Sequence, residues 1–164
     1  MAQAPPTQIS RPDVSAPNPP VFDDIAQKSK EAFDYVDLTI LQWIDERHAL
    51  KRIYSTAPEN YPVGGEKIMT KGAPWPETVV KRHEPYASYD TEELQATYVD
   101  TPYLTAMGVH QCICVPIFDK SGNTVAALNF LGAKDQWDQS IIPGMQELAK
   151  AQGTDAFNRF IASR

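Results

Sequence analysis

Apolar positions change period several times along this chain, and each change marks an element. Phe22, Ile25, Phe33 and Val36 fall close to helical spacing behind Asp23 and Asp24, acids that a helix N-terminus favours, so a helix is expected over about 21–35. In DLTILQWID (37–45) both alternating sets are largely apolar, as in a strand covered on both faces. A polar turn, DERH, leads to ALKRIYST (49–56), its expected antiparallel partner, in which regular alternation puts Arg52 and Tyr54 on one face.

Residues 56–75 are rich in Pro and Gly and read as a long loop, of the kind that usually carries a function. WPETVVKRH predicts a short helix opened by Pro76, and YASY (86–89) a short strand. Asp90 and Glu93 form the spacing of a capping box, and Thr101-Pro102 opens another short helix that Gly108 can close in a left-handed conformation. VHQCICVPIF and NTVAALNFLG, joined by DKSGN, predict a hairpin. The tail carries helical stripes, Ile141, Met145 and Leu148, then Phe157, Phe160 and Ile161, interrupted near Gly153. The expected fold is α+β: one antiparallel sheet with terminal helices on one face and a loop and short-helix insert over the other.

At 164 residues the chain suits one domain with a real core. Residues 1–20, proline-rich and poor in large apolar side chains, are expected to be a disordered arm, and 21–164 a single domain. A net charge of −6 without a basic stripe argues against nucleic acid. No run is long and apolar enough for a membrane span, and the N-terminus has no signal-peptide core, so a cytoplasmic protein is expected.

The candidate chemistry centres on HQCICVPIF (110–118). In a regular strand His110, Cys112 and Cys114 share one face, opposite Gln111, Ile113 and Val115. Such residues could hold a transition metal with a further ligand such as His83, Asp90 or Asp100, or do thiol chemistry. They could equally be buried filling, or the unreactive floor of a pocket. Arg52 could hold an anion in a fork of hydrogen bonds, or lie on an exposed strand edge. Trp75 is a wall of the pocket or a hydrophobic staple. Asp100 caps the helix at Thr101, or points into the pocket beside Tyr103. Asn129 touches ligand, or ties its strand to a loop. Tyr61, with Pro62 and the Gly64-Gly65 pair, would shape the pocket mouth, and Tyr54 would sit beside Arg52.

Taken together, RIYSTAPENYPVGGEK, APWPETVVKRHEPYASYD and YVDTPYLTAMGVHQCICVPIFDKSGNTVAALNFLG resemble the GAF domain, most closely small stand-alone bacterial GAF proteins, over roughly 37–132. The resemblance implies a PAS-like sheet with a small-molecule pocket under the insert, and dimerisation through the terminal helices. It departs from the family at Cys114, where Asn is common, and at Ala126, where Gly is common. A cyclic-nucleotide NKxxE-type signature is absent, and bilin attachment would want a cysteine in an exposed loop. The cysteines of the free methionine-(R)-sulfoxide reductases lie on pocket loops, whereas this pair shares a strand. The expectation is therefore a sensor or regulatory module for a small organic molecule, aromatic or carboxylate-bearing, signalling through a partner or a change of oligomer. The alternative is a metal- or thiol-dependent enzyme using the same pocket.

Overall fold

A computed structural model describes residues 7–8 and 17–164. Most of the expected N-terminal arm lies outside the described residues. The first helical segment is a short 3-10 turn at Pro20–Phe22, followed by α1 (Asp23–Phe33). Ahead of them, the Asn18 side chain bonds both the N–H and the carbonyl of Ser55, at 3.0 and 2.7 Å, as a neighbouring strand would.

Among the described residues seven strands form one antiparallel sheet: β1 (Thr7–Gln8), β2 (Asp37–Ile44), β3 (Ala49–Ser55), β4 (Glu66–Ile68), β5 (Tyr86–Ser88), β6 (Gln111–Phe118) and β7 (Thr124–Gly132). Their spatial order is β1-β4-β3-β2-β7-β6-β5. The expected long loop after residue 56 thus contains a strand, β4. Three residues of only modest apolarity are too short to show periodicity, and their pairing with Ala49, Leu50 and Lys51 decides them.

Alternation along β6 and β7 divides the core in two. Ile113, Val115, Ile117, Leu128 and Phe130 face α1, α4 (Ile142–Leu148) and α5 (Thr154–Ala162). Cys112, Cys114, Ala127 and Leu131 face the insert, with Trp75, Val79, Leu94 and Leu104 packed over them. Between α4 and α5 the backbone takes π-helical turns over Ala149–Gly153. Gly153 explains the break: a Cβ there would meet Ile117 Cγ1 at 3.0 Å, so the absence of a side chain lets the helix lie close on β6.

Pro76–Lys81, expected as a short helix, winds as π-helical turns. Asp90 caps α2 (Thr91–Thr97) by accepting from Glu93 N at 2.8 Å, while the Glu93 carboxylate reaches back to Tyr89 N at 2.7 Å. α3 (Thr101–Ala106) ends before Gly108, whose φ of +83° closes it as the sequence suggests. In the β6–β7 turn Asp119 accepts from Ser121 N and Asn123 N.

One irregularity redistributes the candidate residues. Ile40 pairs with Tyr54 but Leu41 pairs with Arg52, so Ile53 is an extra residue, a β-bulge. Arg52 and Tyr54 therefore do not share a face. Arg52 stays on the insert side, while Tyr54 enters the helix-side core and donates to Asp23 Oδ1 at 3.1 Å.

Candidate functional site

Between the sheet and the insert lies a cavity of about 90 Å³. Its floor comes from β2, β7 and β6, through Thr39, Asn129, Cys112 and Cys114, and Arg52 enters from β3. The insert supplies Tyr61, Lys67, Trp75, Tyr98 and Asp100. Seven of the nine residues expected to contact a ligand line this cavity: Arg52, Tyr61, Trp75, Asp100, Cys112, Cys114 and Asn129. Tyr54 is excluded by the bulge. Tyr103 is also outside the lining; it is 42% exposed, donates to Asn60 O at 2.9 Å and packs edge-on against Tyr61.

At one end of the cavity the polar atoms form a closed network. Cys112 and Cys114 donate to the same oxygen, Asn129 Oδ1, at 2.9 and 3.0 Å, while Asn129 Nδ2 donates to Thr39 Oγ1 at 2.9 Å. Asn129 thus ties three adjacent strands together rather than a strand to a loop. Trp75 Nε1 donates to Cys114 Sγ at 3.1 Å, and the Tyr98 hydroxyl stands 3.6 Å from Cys112 Sγ and 3.9 Å from Cys114 Sγ. Trp75 is 2% exposed, a wall held in place by this bond.

The two thiols are electrostatically unequal. Burial alone would raise Cys114, but hydrogen bonds from Cys112, Trp75 and Tyr98 outweigh it and hold the thiol below its ordinary value. The neighbouring Cys114 sulfur, and then burial, push Cys112 well above. Burial and the neighbouring sulfurs likewise push the Tyr98 phenol far up, which keeps it a neutral donor. Both cysteines are free thiols.

His110 does not join them. It precedes β6, and its Nδ1 lies 3.3 Å from Thr91 Oγ1. Among the described residues no three His, Cys, Asp or Glu side chains group as a metal site, including His83, Asp90 and Asp100. His83 instead meets Thr124 Oγ1 at 3.2 Å.

The other end carries charge. Arg52 Nη1 donates to Pro62 O at 3.1 Å, and the Arg52 backbone pairs with Gly64 and Gly65, so the glycine pair does shape this end. Burial lowers the guanidinium from its ordinary value, with nearby Asp100 opposing. Asp100 occupies the N-cap position of α3 without making a cap bond; its carboxylate lies 3.7 Å from Lys67 Nζ. Lys67, Tyr98 and Thr39 escaped the sequence reading. Lys67 sits in a segment read as loop, and Tyr98 stands just past a helix whose own spacing marks only Leu94 as buried.

The GAF domain family model matches residues 19–152. No curated protein sequence matches the chain. Solved structures share its fold at low identity. The GAF domain of a two-component sensor histidine kinase from Bacillus halodurans is 14% identical, with 88% of this chain and 96% of that chain covered at a TM-score of 0.65. The GAF domain/HD domain protein from Geobacter sulfurreducens is 8% identical over 86% and 92%, at 0.67. A free methionine-R-sulfoxide reductase from Neisseria meningitidis, solved with its substrate, is 16% identical over 92% and 85%, at 0.62. Such identities speak to fold alone, and this fold carries both sensors and an enzyme. With the family model spanning both layers of the core and the sheet topology agreeing, the chain belongs to the GAF domain family.

Proposed function

We propose that this protein is a sensory or regulatory GAF module that binds a small organic molecule in the cavity between the sheet and residues 56–108. The observation that carries the reading is the cavity itself: about 90 Å³, walled largely by apolar side chains, with the Asn129–thiol network and the charged Arg52, Lys67 and Asp100 also in its lining. A space of that size suits a compact organic molecule. The two unpaired thiols fit a reducing compartment such as the cytoplasm, and no helix among the described residues is long and apolar enough to cross a membrane. Pairing of two copies through α1 and α5 belongs to the same reading; Ile161, 43% exposed on α5, is an apolar position the sheet does not use.

Native mass spectrometry of freshly isolated protein, followed by thermal unfolding against a metabolite library, tests both parts. A ligand at one hundred times its Kd adds about 2.7 kcal/mol of stability, several degrees in Tm. That gain should vanish in a Leu104→Trp variant with a native circular dichroism spectrum. A protein that no small molecule stabilises, and that carries none when isolated, would sink the reading.

A second reading, a thiol-dependent enzyme, is favoured by one observation: Cys114 Sγ accepts from Trp75 Nε1 and has the Tyr98 hydroxyl 3.9 Å away, two donors that favour its thiolate. Turnover of an electrophilic substrate, lost in Cys114→Ser with retained ligand binding, would support it over the sensor.

A further inference from the structure

We infer that the ligand is a small monocarboxylate with an apolar body, its carboxylate held at the Arg52 and Tyr61 end of the cavity. The inference rests on the pocket reading above and deepens it.

Two buried polar atoms at the charged end, Arg52 Nε and Tyr61 Oη, have no hydrogen-bond partner. Tyr61 is 4% exposed, and both residues line the cavity. Unpaired buried donors are rare because each forfeits its hydration without return. The Arg52 guanidinium carbon lies 5.8 Å from the centre of the Tyr61 ring, close enough for one small group to meet both residues. Nε offers only a donor and the hydroxyl can offer one, so the complementary group is an acceptor, which a carboxylate supplies with two oxygens.

The charges in the lining point to the same sign. Arg52, Lys67 and Asp100 are its charged side chains. Lys67 and Asp100 form an ion pair, whereas among the described residues no carboxylate lies within ion-pair distance of Arg52. One positive charge therefore has no ion-pair partner, with Asp100 acting on it only from beyond contact, in a place where desolvation already disfavours it. A single negative charge on the ligand balances it; a dianion would overshoot. Away from this end the walls are Leu41, Leu50, Met69, Trp75, Leu104 and Leu131, which offer an apolar body contact and no further cation. An acid of a few carbons fits both the charge and the volume.

The test is calorimetry and thermal unfolding with butyrate, isovalerate and benzoate, against their primary amides and inorganic phosphate. At least one acid should bind, its amide at least ~10-fold more weakly, a factor in line with losing a charged hydrogen bond. Tyr61→Phe, which removes only the hydroxyl, and Arg52→Gln should each weaken that acid by a larger factor than they weaken its amide. If amides or other neutral molecules bind as tightly as the acids, or the acids bind equally to both variants, this inference fails and the pocket reading survives. Phosphate binding as tightly as the acids would also overturn it, because the apolar walls would then contribute nothing. If none of these molecules binds, this inference fails, and the metabolite screen decides the pocket reading separately.

Discussion

Trp75 Nε1 donates to Cys114 Sγ across 3.1 Å, fastening the insert to the sheet at the floor of the cavity. An indole N–H is donor only, so the sulfur must accept, and a thiolate accepts better than a thiol. This contact links a packing feature, the wall residue, to the ionisation of the strand thiols.

The first prediction concerns that ionisation. Cys114 lies below the ordinary thiol value and Cys112 well above it, so raising the pH should produce thiolate absorbance near ~240 nm in two separated steps. Trp75→Phe removes a donor that favours the anion and should move the first step to higher pH. The sign for stability follows: the Cys114 contribution is present above the unfolded thiol's pKa and lost as pH falls through the folded value. Cys112 acts oppositely. A single step carrying both thiols, unmoved by Trp75→Phe, would contradict the assignment.

Tyr54→Phe should cost about 1 kcal/mol in chemical denaturation, since it removes the hydrogen bond to Asp23. It should leave small-molecule binding unchanged because the Ile53 bulge turns the ring toward the helices. Loss of binding without loss of stability would mean that Tyr54 reaches the cavity after all.

Asp90 and Asp100 stand at equivalent helix positions but do different things. Asp90→Ala should destabilise by about 1 kcal/mol, the usual loss for an N-cap. Asp100→Ala has no cap bond to lose and breaks a half-exposed ion pair with Lys67, for which at most a few tenths of a kcal/mol is expected. Equal costs in urea titrations would argue that Asp100 also caps.

Gly132→Ala should cost about 1–3 kcal/mol, the range for overpacking a filled core. Its new Cβ would meet Trp137 Cζ3 at 2.4 Å. That indole is anchored by its own bond to Phe33 O and by Gln111, whose amide bonds Trp137 at both N and O, so it has little room to retreat. A thermal midpoint equal to the parent's would show that Trp137 moves freely.

Periodicity reported well on long elements. The alternation of β6 and β7 placed both cysteines opposite Ile113 and Val115, and the Asp90–Glu93 spacing marked a helix start that the backbone confirms. A period of two holds only while the strand is regular, however. The bulge at Ile53 comes from pairing with β2 in space and leaves no trace in ALKRIYST, so Tyr54 was assigned to the wrong face. Lys67 was illegible for a related reason: three-residue β4 exists because β3 offers it an edge.

By itself, then, the sequence determined which residues are apolar on which face, where turns fall, and that Cys112 and Cys114 would look the same way. Those are consequences of local stereochemistry and of side chains a residue or two apart. Only the tertiary structure decided that both thiols meet one Asn129 oxygen, that Asp100 turns to Lys67, and that Arg52 keeps an unpaired donor beside Tyr61. The first depends on the exact β6–β7 register that sets Asn129 beside both sulfurs, and the others on how residues 56–108 fold back over the sheet, neither of which a local pattern of side chains encodes.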